Sequence, residues 1–127
     1  MARKRMIDPD FWVDERVGQL SRDARLLFIG MWNFADDEGR MVAAPARLKA
    51  EVFPYDDDIT PATVGNLINE LVALGLVWCY TVDDRQYLWV VNFAKHQRIS
   101  HPTPSLLPKT PEDSGKLRKT PERSSTI

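Results

Sequence analysis

The chain has 127 residues, 43% of them hydrophobic and 12 aromatic, so it is long and apolar enough to bury the core of one domain. Cys79 is the only cysteine, which excludes a disulfide within the chain; we expect it to be a small core residue and the protein to be cytoplasmic. No apolar run approaches the roughly 20 residues that span a bilayer, so we expect no membrane partner.

The formal net charge of −1 is unevenly distributed along the chain. Residues 1–90 carry 10 Lys and Arg against 15 Asp and Glu, whereas residues 91–127 carry 7 against 3. The first part is therefore acidic and the C-terminal part basic. This asymmetry bears on any nucleic-acid partner, because cations facing phosphates supply much of the affinity for nucleic acids.

The first elements follow from capping signals and from helical periodicity. Residues 1–7 form a basic N-terminal arm, and Asp8-Pro9 is typical of an N-cap and first turn, which predicts a short helix through Val13. Ser21 caps a longer predicted helix. Its apolar positions recur at the 3.6-residue period and are Ala24, Leu27, Phe28, Met31 and Ala35.

A short strand is expected at residues 40–42, followed by a helix that begins at Pro45 and ends before Pro54. The carboxylate clusters at residues 36–38 and 56–58 lack the ligand spacing of a cation-binding loop. We therefore interpret both clusters as turns at helix ends.

The stretch from residue 60 to residue 92 has the clearest pattern in the chain. Thr60 is a good N-cap, Pro61 fits the first helical position, and Gly75 is typical of a helix end. The apolar stripe between them consists of Val64, Leu67, Ile68, Leu71 and Val72. Two runs rich in Val, Tyr, Trp and Thr follow, 76–82 and 86–92, around a short polar break, which predicts a hairpin.

After the leading helix, the predicted order is helix, strand, helix, helix, strand, strand. This is the order of a winged helix-turn-helix domain, so we predict an α+β fold with a three-helix core and a β-hairpin wing over residues 8–98. Residues 99–127 are rich in proline and lack an apolar period, and Lys-Thr-Pro-Glu occurs at 109–112 and again at 119–122. We predict a disordered, basic C-terminal tail or linker there.

Several segments together resemble one known family. They are Ile-Asp-Pro-Asp-Phe-Trp at 7–12, Ala-Arg-Leu-Leu-Phe-Ile-Gly-Met-Trp-Asn at 24–33, and Phe-Ala-Lys-His-Gln-Arg-Ile at 93–99. Over roughly residues 5–108 the chain resembles the N-terminal domain of phage and prophage replication-initiation proteins (replisome organisers). The resemblance implies a winged-helix module that binds DNA at an origin, recruits a helicase or helicase loader, or does both.

In a winged helix, the helix at 61–74 would enter the major groove of DNA. Here that helix has no Lys or Arg, and Glu70 would repel phosphate, so cations from the arm, the hairpin and the segment after the hairpin complete the candidate interface. The predicted DNA-binding residues are Arg3, Lys4, Arg5, Thr63, Asn66, Asn69, Arg85, Lys95, His96, Gln97 and Arg98.

Two other functions stay open. The uncharged helix face also suits a protein partner, either a second copy of the chain in a homodimer or a replication protein, and a transcriptional regulator would share the same DNA-binding features. An enzyme is not expected, because the sequence has no Gly-rich phosphate loop and no nucleophile elbow. We expect no cofactor and no metal, since His96 and His101 have no cysteine near them.

Overall fold

A computed structural model describes residues 2–110 and confirms the predicted α+β class. Within these residues the fold has five α-helices, a 3-10 helix and a three-stranded antiparallel sheet. In chain order the elements are the 3-10 helix (Pro9–Val13), α1 (Glu15–Gly18), α2 (Arg22–Phe34), β1 (Arg40–Val42), α3 (Pro45–Val52), α4 (Pro61–Ala73), β2 (Val77–Val82), β3 (Arg85–Val90) and α5 (Phe93–His96). The sequence pattern did not predict α1 and α5, because four residues are too few to establish a helical period.

The hairpin turn is tighter than the sequence suggested. Asp83 and Asp84 both have positive φ, 50° and 65°, so the two of them form the turn alone. Arg85, which was expected within the polar break, is instead the first residue of β3. The sheet order is β1-β3-β2, which places β3 in the centre with an antiparallel neighbour on each side.

The helices pack against one face of this sheet, which we call the inner face. Met41, Leu88 and Val90 contribute to the helix-side core from that face. The largest fully buried apolar side chains are Phe53, Phe93, Leu27, Met31, Leu48, Leu71, Leu88, Val64 and Val77. Cys79 is exposed, so its assignment to the core was wrong: it pairs with Leu88 but lies on an edge strand.

The opposite, outer face of the sheet carries two cross-strand rows of side chains. Register places Val42, Tyr87 and Tyr80 in one row, and Arg40, Trp89 and Trp78 in the other. The tyrosine rings stack with centroids 5.5 Å apart, and the tryptophan rings meet edge to face at 5.4 Å. Both tyrosines are buried although neither belongs to the helix-side core, so another part of the chain covers them.

For Tyr80, part of that cover comes from the segment predicted to begin the disordered tail. Ile99 packs against the core, and residues 103–110 run along the domain, with Pro108 O accepting a hydrogen bond from Tyr80 Oη at 2.8 Å. Thr110 is fully buried. The packed domain therefore extends from the predicted limit at residue 98 to residue 110. The remainder of the predicted tail, residues 111–127, lies outside the described residues.

The reversal between α2 and β1 depends on Gly39. Its φ of +86° is in the left-handed region, and a Cβ there would lie 2.5 Å from Phe93 Cβ. The chain can therefore make this turn and still bring α5 against it only with glycine at this position.

We predict that Gly39→Ala lowers the free energy of unfolding by about 2–4 kcal/mol, because strain in the backbone and overlap with Phe93 add together. Gly18→Ala is the matched control, since a Cβ at Gly18 meets nothing within 4 Å, and its effect should stay within about 1 kcal/mol of zero. Urea unfolding of the two variants measures both values. Equal effects would show that Gly39 is not under steric constraint.

Candidate nucleic-acid interface

The N-terminal arm lies in a fixed position against the domain. The Arg3 backbone N donates to Asn33 O at 2.8 Å, and Asn33 Nδ2 donates back to Arg3 O at 2.7 Å. Three residues later, Met6 N donates to Gln97 Oε1 at 3.0 Å and Gln97 Nε2 donates to Met6 O at 2.9 Å. The structure thus brings the basic arm beside the basic segment that follows the hairpin.

Arg5 is buried within this junction. Its guanidinium donates to Trp32 O at 2.9 Å, to Ala35 O at 3.0 Å and to Asp37 Oδ1 at 3.1 Å, and it stacks 5.0 Å from the centroid of the Phe93 ring. These carbonyls terminate α2, where a cation is favoured by the helix dipole. Arg5 therefore anchors the arm and does not face solvent.

Two more predicted DNA contacts are also engaged within the chain. Gln97 is buried with its amide bonded to Met6, as described above. Thr63 completes a capping box at the start of α4: Thr60 Oγ1 accepts from Thr63 N, and Thr63 Oγ1 accepts from Thr60 N, both at 3.2 Å. We remove Arg5, Gln97 and Thr63 from the interface because local and tertiary hydrogen bonds use their polar groups.

The exposed side of α4 remains neutral and polar. Asn66 and Asn69 are both exposed on it. The Glu70 carboxylate accepts from Ser21 N and from Ser21 Oγ, both at 2.9 Å, and so fixes the start of α2 against α4. This contact brings Arg22, an exposed residue directly after Ser21, to the C-terminal half of α4. Sequence reasoning missed Arg22, because its position depends on packing between helices far apart in the chain.

The exposed cations near the end of the hairpin form a group that we call the basic cluster: Lys4, Lys95, His96 and Arg98. Val91 N donates to Leu76 O at 3.1 Å, so the chain leading to α5 runs beside the C-terminal end of α4. Arg85 lies at the opposite end of β3, about 17 Å from Val90 at the usual rise per strand residue. Arg85 and the basic cluster therefore belong to separate parts of the surface. Arg3 is partly exposed, and its Nε lies 3.5 Å from Asp37.

The acidic turn, as we call Asp36, Asp37 and Glu38, bonds to residues near both ends of the described chain. Asp37 Oδ1 pairs with Arg5, and its Oδ2 accepts from Thr103 N at 2.9 Å. Glu38 Oε2 accepts from Ser105 N at 2.7 Å, while its other oxygen pairs with Arg40. Asp36 accepts from the Ser105 hydroxyl. The turn does end a helix, as predicted, but its carboxylates also act as long-range anchors.

These contacts lower the pKa of two carboxyl groups. The pKa of Asp37 lies below its ordinary value of 3.8, chiefly through the Thr103 backbone N–H and then through Arg5 and Arg3, which together outweigh the effect of burial. The pKa of Glu38 lies below 4.5 because of the Ser105 backbone N–H, the hydrogen bond from Arg40 and, more weakly, the charge of Lys109. In residues 2–110, no group of three or more His, Cys, Asp or Glu side chains is arranged to hold a metal ion.

No family model matches this chain, and no curated protein or solved structure does so. Among the described helices, none is long and apolar enough to cross a membrane.

We predict that Arg5→Ala lowers the free energy of unfolding by about 3 kcal/mol, because it leaves the buried Asp37 carboxylate without its closest cation. Lys4→Ala removes the neighbouring exposed cation and should change stability by no more than about 0.5 kcal/mol. Chemical denaturation compares the two variants. Arg5→Lys should restore little of the loss, since one ammonium group cannot replace the planar guanidinium; full rescue would contradict this account.

The acidic turn also predicts how stability depends on pH. Because the folded pKa values of Asp37 and Glu38 are lowered, their stabilising contribution is fully present above about pH 4.5 and is lost as pH falls through those folded values. Asp37→Asn/Glu38→Gln should therefore be less stable at pH 7 and lose less stability on acidification to pH 3. Thermal unfolding across this range measures both effects, with Asp57→Asn as an exposed control. A wild-type slope in the double variant would contradict the prediction.

Proposed function

We propose that this chain is a winged-helix DNA-binding module of the kind used in phage-type replication initiation. The observation that carries the proposal is topological. After α1, the order α2, β1, α3, α4, β2, β3 and the sheet order β1-β3-β2 are compatible with a winged helix. In that arrangement α4 would be the recognition helix and the β2–β3 hairpin the wing.

Two surfaces would divide the work of binding. Asn66 and Asn69 on α4 would read base edges, since an asparagine amide can both donate to and accept from an adenine in the major groove. Arg22 and the basic cluster, both near the C-terminal part of that helix, would contact phosphates, which positions the protein without selecting a sequence. The acidic character of residues 1–90 keeps the number of phosphate contacts small.

A second candidate is a protein-interaction module that docks a helicase loader or a second copy of the chain through α4. Two observations favour it: α4 carries no Lys or Arg, and the exposed Asp83 and Asp84 at the hairpin tip would repel a phosphate backbone. The salt dependence of binding separates the two candidates, because only DNA binding releases counterions from the nucleic acid.

The test compares duplex DNA from the chain's own gene with random duplex of equal length, by fluorescence anisotropy at about 50 and 200 mM salt. Lys95→Ala/Arg98→Ala should weaken binding to both DNAs and flatten the log–log salt slope by roughly 2, since each phosphate contact contributes about 0.9. Asn66→Ala should leave the slope unchanged and narrow the difference between the two DNAs.

Lys109→Ala is the control, since Lys109 follows Pro108 on the outer side of the sheet, away from α4. It should leave both the affinity and the slope at their wild-type values. An unchanged slope in Lys95→Ala/Arg98→Ala would remove the basic cluster from the interface. Absence of DNA binding by the wild-type chain would refute the proposal and favour the protein-interaction module.

A further inference from the structure

The outer face of the sheet has the form of a peptide-binding groove that the chain fills with its own residues. The segment 103–110 leaves the acidic turn on the β1 side and reaches Tyr80 on β2. Because the strand order is β1-β3-β2, β3 and its Tyr87 lie between these two contacts. An extended, proline-containing segment lying over aromatic rings is a common mode of peptide recognition.

The last four residues of this segment each have a defined environment. Leu107 lines a cavity with Arg40 and Val42 of β1, and Pro108 uses its backbone carbonyl to accept from Tyr80 Oη. Lys109 attracts the Glu38 carboxylate, and the Thr110 side chain is fully buried.

The same contact groups occur a second time in the sequence. Residues 107–112 read Leu-Pro-Lys-Thr-Pro-Glu, and residues 117–122 read Leu-Arg-Lys-Thr-Pro-Glu. The two stretches differ at the second position, which is Pro108 in one and Arg118 in the other. Tyr80 bonds to the backbone carbonyl at this position, and any residue, including Arg118, provides that carbonyl. We call these stretches motif 1 and motif 2; motif 2 lies outside the described residues.

We propose that the outer face of the sheet is a docking groove for the sequence Leu-x-Lys-Thr, and that motif 2 of the same chain is its alternative occupant. The two motifs compete for one groove. This inference concerns the face of the sheet opposite the helices and does not depend on the DNA-binding proposal.

Chain length permits the exchange and explains why motif 1 is the docked form. With Thr103 and Ser105 still bound to the acidic turn, motif 2 reaches the groove if residues 106–116 loop out, well within the reach of an extended chain. Closing that loop costs conformational entropy that motif 1 does not pay. Replacing motif 1 by motif 2 would shift the position of the C-terminal segment in the groove by ten residues.

Hydrogen–deuterium exchange of the full chain tests the proposal. In the wild type, the amides of Lys109 and Thr110 should exchange more slowly than those of residues 118–120; Pro108 has no amide hydrogen and gives no signal. In Leu107→Asp/Thr110→Asp, motif 1 cannot dock, and exchange at residues 118–120 should slow about tenfold or more. The matched variant Leu117→Asp/Thr120→Asp should keep the wild-type pattern. Rapid exchange at 118–120 in the motif 1 variant would overturn the proposal.

A second measurement uses the unchanged protein, in case the motif 1 variant fails to fold. A synthetic peptide of residues 115–123 added in excess to the wild-type chain should compete with motif 1 and speed exchange at Lys109 and Thr110 several-fold. The same peptide with aspartate at the positions of Leu117 and Thr120 should have no effect. If both peptides leave the protection unchanged, the groove does not recognise motif 2 and the proposal fails.

Discussion

The structure depends on the carboxylate of Asp37, which is buried and bonded to residues from both ends of the described chain. Its Oδ1 pairs with Arg5 from the N-terminal arm, and its Oδ2 accepts from Thr103 in the C-terminal segment. A buried charge is costly unless it is paired and hydrogen-bonded, so the arm and the segment are held together by the same requirement. If either one left, the buried Asp37 carboxylate would lose one of the groups that compensate its charge.

This arrangement decides which surfaces are free. The C-terminal segment lies on the outer face of the sheet and contacts Tyr80, whose ring stacks on Tyr87. The arm removes Arg5 from solvent and aligns Lys4 with the cations of α5 and its flank. The polar side of α4 stays exposed with cations beside it, and this is the surface that the proposed DNA-binding function uses.

The two proposals concern opposite faces of the same three-stranded sheet. Its inner face completes the core on which α4 is mounted, and its outer face binds a peptide segment. Binding at one face leaves the other accessible, because helices and C-terminal segment lie on different sides. The proposed DNA contact at α4 and the proposed exchange of motifs on the outer face are therefore compatible with each other.

The sequence by itself determined the elements that depend on neighbouring residues. The Thr60 cap, the apolar stripe of α4 and the hairpin all follow from interactions within a few residues, and the structure contains each of them. Tertiary structure alone decided the roles of the charged and polar residues in the arm, the acidic turn and the segment after the hairpin. Arg5 and Asp37 are 32 residues apart, and Met6 and Gln97 are 91 apart, so no local pattern distinguishes them from the exposed Lys4 or Arg98. Whether a cation meets solvent or a buried carboxylate is set by which distant segments pack together, and periodicity carries no information about that.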